Sequence, residues 1–131
     1  MKRPRFIVAA WLLLCFVCGT AVAQNTASMA PMRILVGAPA GGSTDTMARA
    51  VAHAMGQQLG RTVVVENRPG AGGNLAAEAV ARAAPDGQTL LMSFTSHAIN
   101  ASLYPRLSFD PVKDFTPLTL VSTSPSVLVA H

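Results

Sequence analysis

The stretch R-I-L-V-G-A-P-A-G-G-S-T-D-T-M, from Arg33 to Met47, decides the fold of this 131-residue chain. It starts with a β-branched and apolar run of the kind that forms a buried parallel strand. A turn with glycine and proline follows, and the next residues, Ser-Thr-Asp-Thr, are typical of a helix start. The first amide groups of a helix have no intrahelical partner, and the helix dipole favours negative charge at that end. The stretch therefore predicts an anion-binding site between a strand and a helix.

The rest of the chain continues the alternation of strands and helices. A first strand is predicted over residues 32–37 and a first helix over residues 44–59, with Gly60 as its C-terminal cap. The apolar residues of this helix predict one buried stripe, formed by Met47, Val51, Met55 and Leu59 with Ala48 and Ala54 beside them. Further strands are predicted over residues 62–66, 89–93, 117–122 and 126–130, and further helices over residues 74–84 and 97–103. The short loops predict β-α-β units and a parallel sheet whose first three strands lie in the order 2-1-3, with helices on its faces.

The first 23 residues have the pattern of a signal peptide. Basic residues precede an apolar run over residues 6–17, which is too short for a good membrane span. Ala21 and Ala23 give the small-x-small pattern of a signal peptidase site. We therefore expect a periplasmic protein cut after Ala23, and we favour this over a membrane anchor. Residues 24–31 are predicted to be a flexible leader and residues 32–131 to be the folded part.

Removal of the signal peptide changes what the composition indicates. The whole chain carries a net charge of +4, but three positive charges lie in the signal peptide and the mature part carries only +1. This balance gives no indication of nucleic-acid binding. Both cysteines, Cys15 and Cys18, are also removed, so the mature protein is predicted to have no disulfide, thiolate metal site or thiol nucleophile. An exported chain without disulfides needs a hydrophobic core of its own.

Three loops, at residues 38–43, 67–73 and 94–97, follow predicted strands at their carboxyl ends. Ligands of open parallel sheets bind at this edge. The sequence lacks the phosphate-binding and dinucleotide-binding motifs, the nucleophile elbow of hydrolases and any cluster with the spacing of a metal site. We therefore expect no cofactor and no metal. Ser43 and His97 could act as nucleophile and base in a secreted hydrolase, but a serine at this position is more typical of a helix cap.

Three ionisable residues near the loops have two interpretations each. Asp45 either balances the dipole of the helix N-terminus or orients a ligand and its bound water, and the sequence leaves both open. His97 is more typical of a capping or packed residue than of a ligand-binding one. Arg68 follows Glu66 closely, and an ion pair with a nearby acid is favoured over a contact with an anion.

Several segments of the chain resemble a known family. The run V-E-N-R-P-G-A-G-G-N at residues 65–74 is highly specific. With it, the chain resembles the N-terminal part of the Bug-type periplasmic solute-binding receptors of tripartite tricarboxylate transporters. The matching segments cover essentially all of the mature chain and are residues 33–45, 63–74, 84–91, 97–104 and 109–115.

The resemblance implies an α/β fold: the parallel-sheet lobe of a type II periplasmic-binding-protein fold, truncated so that the first lobe is present without the second. It implies a solute-binding protein of the Venus flytrap type, not an enzyme. Such a receptor captures a small carboxylate or related metabolite and delivers it to the membrane permease subunits of the transporter. The ligand-binding residues that the resemblance carries over are Ala40, Gly41, Gly42, Ser43, Thr44, Asp45, Ser93, Thr95, Ser96, His97 and Asn100.

Members of this receptor family are more than twice as long as this chain. We therefore expect weak ligand binding, because closure of two lobes is what buries the ligand in such receptors. Two alternatives stay open at this point. One is a truncated, non-functional remnant of such a receptor, and the other, less favoured, is the secreted Ser/His hydrolase.

Overall fold

The computed structural model describes residues 30–125 and 127–129. Strands and helices alternate along these residues: β1 (Met32–Val36), α1 (Ser43–Leu59), β2 (Val63–Asn67), α2 (Asn74–Ala81), β3 (Thr89–Met92) and α3 (Ser96–Leu103). A short 3-10 turn, Ala71–Gly73, immediately precedes α2. The strands are parallel and lie in the order β2-β1-β3. The predicted α/β class, parallel sheet and strand order are therefore confirmed.

Strand β1 forms the centre of the core because it pairs with a neighbour on both edges. Ile34, Leu35 and Val36 are 2%, 1% and 0% exposed. Helix α1 packs against this strand through Ala48 and Ala52, which join Ile34 and Val36 in one buried cluster. Burial of successive residues explains why the strand is a continuous apolar run and not an alternating one.

The buried side of α1 lies one position away from the predicted stripe. Ala48 and Ala52 are buried, whereas Val51 packs at the edge of the cluster and Leu59 is half exposed. Small side chains let a helix approach a sheet closely, so the alanines occupy the centre of the contact. Of the larger residues predicted to lie there, Val51 and Met55 pack at the edge of the cluster.

Two predicted helix ends have different outcomes. Helix α1 ends as predicted at Gly60, whose φ of 62° is the left-handed conformation that glycine adopts readily. Helix α2 ends at Ala81, before the predicted end at residue 84. Its last turn tightens, because the amide of Ala83 donates to the carbonyl of Val80 at 3.0 Å, which is the spacing of a 3-10 turn.

The strands predicted over residues 117–122 and 126–130 are wrong for the residues that the structure describes. Residues 117–122 pair with no strand there, and Leu118 and Leu120 are 74% and 78% exposed. Residues 127–129 are not in a strand either, while Ser126 and Ala130 lie outside the described residues. Apolar residues form a strand only where a neighbouring backbone takes up the hydrogen bonds, and the sequence pattern does not supply that neighbour.

The predicted signal peptide, residues 1–23, and most of the predicted leader lie outside the described residues. Within the described part, none of the helices combines the length and the apolar character needed to cross a bilayer. The same part of the chain contains no group of three or more His, Cys, Asp or Glu residues arranged to hold a metal ion.

An ion-pair cluster ties β1 to the end of β2. The Glu66 carboxylate accepts hydrogen bonds from Nε of Arg33 at 3.1 Å and from Nε of Arg68 at 2.7 Å. These two guanidinium groups, Arg33 first, hold the pKa of Glu66 below its usual value. The predicted ion pair between Arg68 and a nearby acid is therefore confirmed.

Candidate functional site

The carboxyl ends of the strands meet at one edge of the sheet, and each is followed by a helix N-terminus. Loop 1 (residues 37–42) joins β1 to α1, loop 2 (residues 68–73) joins β2 to α2, and loop 3 (residues 93–95) joins β3 to α3. A Cβ added to Gly37 would lie only 2.6 Å from the Cα of Gly73. Loop 1 therefore rests directly on the backbone of loop 2.

The first turn of α1 presents open backbone amides. Gly42 is its N-cap, and no side chain among the described residues caps this end. The amide of Thr46 makes the first helical hydrogen bond, to the Gly42 carbonyl at 2.9 Å. The amides of Ser43 and Thr44 consequently have no intrahelical partner. The predicted capping role of Ser43 is wrong, because Gly42 takes that position and Ser43 is the first, exposed residue of the helix.

The carboxylate of Asp45 lies beneath this turn and is 3% exposed. Its Oδ2 accepts from the Gly41 amide at 2.8 Å and from Nε of Arg49 at 3.0 Å, and its Oδ1 accepts from the side chain of Asn67 at 3.0 Å. These donors, Arg49 foremost, lower the pKa of Asp45 to about 2. The carboxylate is thus ionised at neutral pH, and its contacts are with loop 1 and the residues that support it.

Asn67, at the end of β2, completes the network. Its Nδ2 donates to the carbonyl of Ala38 at 3.1 Å as well as to Asp45, and its Oδ1 accepts from Arg49 at 3.2 Å. The side chain therefore holds the start of loop 1 directly to β2 and holds the end of loop 1 through Asp45. Sequence reasoning did not single out Asn67 or Arg49. The available signals were the i,i+4 spacing of Asp45 and Arg49 and the position of Asn67 at a strand end.

The start of α3 is fastened to loop 2 by side chains. Oγ of Ser96 donates to the Gly72 carbonyl at 2.7 Å. Nδ2 of Asn100 donates to the same carbonyl at 3.0 Å and to Oδ1 of Asn74 at 2.7 Å. Asn100 is 3% exposed. Both predicted site residues are therefore engaged in internal hydrogen bonds that hold α3 in place.

His97 is packed in an aromatic cluster. Its ring stacks on Phe109 with centroids 6.1 Å apart and meets the edge of Phe115 at 5.0 Å. Its Nε2 lies 3.1 Å from the carbonyl oxygen of Pro111, which can only accept, so Nε2 carries the hydrogen and donates this bond. The sequence favoured a capping or packed residue over a ligand-binding one, and the packed arrangement is what the structure shows. These contacts engage Nε2 with Pro111, so that atom is not positioned as a base for Ser43.

The predicted site residues fall into two groups at the strand edge. A small, partly open cavity of about 10 Å³ lies between loops 2 and 3 and also touches Gly37 of loop 1, with room for about one water molecule. Its lining includes the predicted residues Ser93, Ser96 and His97, whereas the residues of the first group lie outside it: Ala40, Gly41, Gly42, Ser43, Thr44 and Asp45. Thr95 is exposed at the start of α3. In the first group, all but Asp45 are exposed or partly exposed.

The parallel α/β lobe with helix N-termini along one sheet edge is of the class found in periplasmic binding proteins. Residues 47–131 match the family described as tripartite tricarboxylate transporter family receptor. The chain belongs to this family. The resemblance to Bug-type receptors is thereby confirmed.

Similar proteins agree with this assignment. Protein BugT of Bordetella pertussis is 41% identical over 112 residues, which are 84% of this chain and 34% of BugT. Among solved structures, MatC from Rhodopseudomonas palustris with bound malate has a TM-score of 0.62 and 42% identity, over 70% of this chain and 31% of MatC. The periplasmic binding protein BugD has a TM-score of 0.64 and 42% identity, over 66% of this chain and 29% of BugD. The chain spans about a third of the length of the relatives it matches.

Proposed function

We propose that this chain acts in a periplasmic solute-binding receptor and that the N-terminus of α1 binds a carboxylate group of the solute. The observation that carries the proposal is the open first turn of α1, where exposed backbone amides have no intrahelical partner. The bound malate of MatC supports a small carboxylate as the ligand class. In this proposal residues 32–131 form the N-terminal lobe of a two-lobed receptor.

The electrostatics of the first turn favour an anion in spite of Asp45. The negative charge of this residue is paired with Arg49, and both carboxylate oxygens already accept hydrogen bonds from the protein. The amides of Gly42, Ser43 and Thr44 are then the donors available to a ligand carboxylate. The positive end of the helix dipole adds to their attraction.

Loop 3 would supply the opposite side of the ligand site. Ser93 and Thr95 are exposed there and can offer hydroxyl groups to the ligand or its water. Ser96, His97 and Asn100 have hydrogen bonds within the protein, so we assign them a supporting role. Ligand capture of this kind needs no bond to be broken, and malate recovered after hours of incubation should be chemically unchanged.

The cellular part of the proposal is export and delivery. We propose that residues 1–23 are a signal peptide cleaved after Ala23 and that the receptor hands its solute to the permease subunits of a tripartite tricarboxylate transporter. The family assignment supports a periplasmic receptor that works with a permease, and the small-x-small pattern at Ala21 and Ala23 supports the cleavage site. N-terminal sequencing of the protein recovered from the periplasm should begin at Gln24. Recovery of the unprocessed chain with the membrane fraction would contradict the cleavage.

Calorimetric titration of malate into the purified protein tests the binding site, and one pair of variants makes the test specific. Ser43→Pro removes a single backbone N–H from the proposed site. Proline is tolerated as the first residue of a helix, and Gly42 already has the extended backbone that precedes proline (ψ 171°). Ser43→Ala is the matched control because it removes the hydroxyl and keeps the amide.

We expect the wild-type protein to bind malate, and Ser43→Pro to weaken the affinity about tenfold, the effect of losing one hydrogen bond to a charged group. Ser43→Ala should bind within about twofold of wild type, because an exposed hydroxyl that competes with water adds little net free energy. Equal affinities for Ser43→Pro and Ser43→Ala would contradict a site made of backbone amides. Conversion of malate into another compound would contradict the receptor.

A further inference from the structure

Residues 67–74, which we call the bridging segment, contact both groups of candidate site residues. One asparagine at its start fastens loop 1, and its later part receives the side chains of α3. We propose that Asn67 and Asn100 are positioning residues, which hold loop 1 and the start of α3 on this common segment and so set the spacing of the two sides of the ligand site. The proposal rests on the proposed function, since it concerns the geometry of that site.

At the first end, Asn67 acts on loop 1 through a chain of contacts. Its amide group donates both to the Ala38 carbonyl and to Asp45, and Asp45 in turn accepts the amide of Gly41. Gly41 directly precedes the N-cap of α1. Asn67 therefore fixes the direction in which the open amides of α1 point without reaching the ligand itself.

At the other end, Asn100 holds the start of α3 from the second turn of that helix. Its Nδ2 donates to the Gly72 carbonyl and to Oδ1 of Asn74, so one buried amide joins the helix to the bridging segment at two points. Ser96 adds a hydrogen bond to the same Gly72 carbonyl. The position of loop 3, which leads into this helix, follows from these contacts.

The backbone of the bridging segment lies in close contact with loop 1 and with loop 3. A Cβ at Gly73 would lie 3.1 Å from Cζ of Phe94 in loop 3, and the Cα of Gly73 also blocks any Cβ on Gly37 of loop 1. Gly73 has a φ of 94°, which side-chain-bearing residues rarely adopt. Loop 1, through Gly37, and loop 3, through Phe94, therefore both lie against Gly73. A side chain at this position would have no room, so both contacts depend on a glycine in the bridging segment.

Asn67 and Asn100 make different hydrogen bonds, so a variant of each residue should affect only its own side of the site. We would prepare the full chain, labelled with ¹⁵N, as wild type, Asn67→Ala and Asn100→Ala, and measure amide hydrogen exchange at Gly41 and His97. The Gly41 amide reports on loop 1 because it donates to Asp45, and the His97 amide reports on α3 because it donates to the Phe94 carbonyl. Arg82→Ala, which removes a surface ion pair with Glu78 on α2, is the control.

Asn67→Ala should speed exchange at Gly41 about fivefold, the factor expected for the loss of one hydrogen bond, and leave His97 within about twofold. Asn100→Ala should do the reverse, and Arg82→Ala should change neither amide. If Asn67→Ala does not fold, Arg49→Ala removes the shared partner of Asp45 and Asn67 from an exposed position, and it should also speed exchange at Gly41. Equal changes at both amides, or none at Gly41, would overturn the positioning roles.

A malate titration of the same proteins separates this proposal from the proposed function. If wild type binds malate, Asn67→Ala should weaken the affinity about fivefold, since the open amides lose their fixed direction. If wild type binds no malate, the proposed function fails, while the exchange pattern still decides whether the two asparagines hold separate loops. Unchanged affinity in Asn67→Ala together with faster exchange at Gly41 would overturn its role in setting the site.

Discussion

Helices α1 and α3 begin at the same edge of the sheet, after neighbouring strands, yet their first turns are built differently. At α1 the Asp45 side chain is buried and no side chain caps the helix, so the backbone amides of the first turn stay open. At α3 the polar side chains of Ser96 and Asn100 reach back to loop 2 and fasten the helix. Both starts carry hydroxyl, amide or acidic residues that suggest a ligand site. The open amides of α1 are therefore better placed to bind a ligand than the polar side chains of α3, which already have partners.

The largest effect is expected where both helix starts depend on one close contact. Gly37→Ala would place a Cβ 2.6 Å from the Gly73 backbone, which cannot move aside as a side chain can. We expect a loss of about 3 kcal/mol in the free energy of unfolding, the upper end of the cost of overpacking. Urea unfolding measures it.

Gly42→Ala is the matched control in the same loop. Its φ is −78°, and a Cβ there would have only an ordinary contact at 3.6 Å with the Pro39 carbonyl. Because alanine is a poorer N-cap than glycine, this variant should lose up to about 1 kcal/mol, well below the loss expected for Gly37→Ala. Equal losses for Gly37→Ala and Gly42→Ala would contradict the direct contact of loops 1 and 2.

A smaller loss is expected at the fastened helix start. Asn100→Ala leaves the carbonyl of Gly72 with one donor fewer and Oδ1 of Asn74 without its donor, in a buried environment. We expect a loss of about 2 kcal/mol, in the range measured when a buried polar group loses its partner. Urea unfolding of Asn100→Ala beside Ser96→Ala checks this. Ser96 is only partly buried, and a larger loss from Ser96→Ala would contradict the assigned order.

The open helix start should show a dependence of stability on pH. The pKa of Asp45 is lowered from 3.8 to about 2 in the folded protein, so the folded state binds a proton there less readily than the unfolded state. This contribution to stability is present above about pH 4 and is lost as the pH falls toward about 2.

Urea unfolding of wild type and Asp45→Asn between pH 6 and about 2 isolates this residue, because other carboxylates such as Glu66 contribute to both proteins and cancel in the difference. The difference in the free energy of unfolding should be largest near neutral pH and should shrink as the solution becomes acidic. A difference that stays constant over this range would show that the charge of Asp45 does not stabilise loop 1.

The smallest effect on stability is expected from Ser43→Ala. The side chain is exposed and caps no amide among the described residues, so the free energy of unfolding should change by less than about 0.5 kcal/mol. An N-cap serine would cost about 1 kcal/mol on the same substitution. Chemical unfolding with an error well below that value distinguishes the two, and the larger loss would restore the capping role that the sequence suggested.

Much of the fold could be predicted from local patterns. The glycine that ends α1, Gly60, follows from local backbone conformation. The order of the first three strands follows from the right-handed β-α-β units of an open parallel sheet with the crevice at its centre. The strands predicted after residue 116 were wrong, because pairing depends on a partner that periodicity does not show. The centre of the α1 contact differs from the predicted stripe because the pattern favours the large apolar residues, puts Ala48 only beside them and does not include Ala52.

Less of the candidate site than of the fold could be predicted from the sequence. Its location at the end of β1 could be predicted from the glycine turn and the residues that start a helix. The contacts of Asn67 could not, because they join residues 18 to 29 positions apart. Ser96 and Asn100 have the side chains of ligand-binding residues, and only the three-dimensional structure shows that the Gly72 carbonyl takes up their hydrogen bonds.

Amide chemical shifts recorded during a malate titration show directly whether the open amides of α1 bind a carboxylate. We predict that the resonances of Gly42, Ser43 and Thr44 shift together and saturate, while those of Gly60 and Gly87, which lie in turns away from the sheet edge, stay in place. Saturating shifts confined to the start of α3, or no saturating shift at the first turn of α1, would contradict carboxylate binding by these amides.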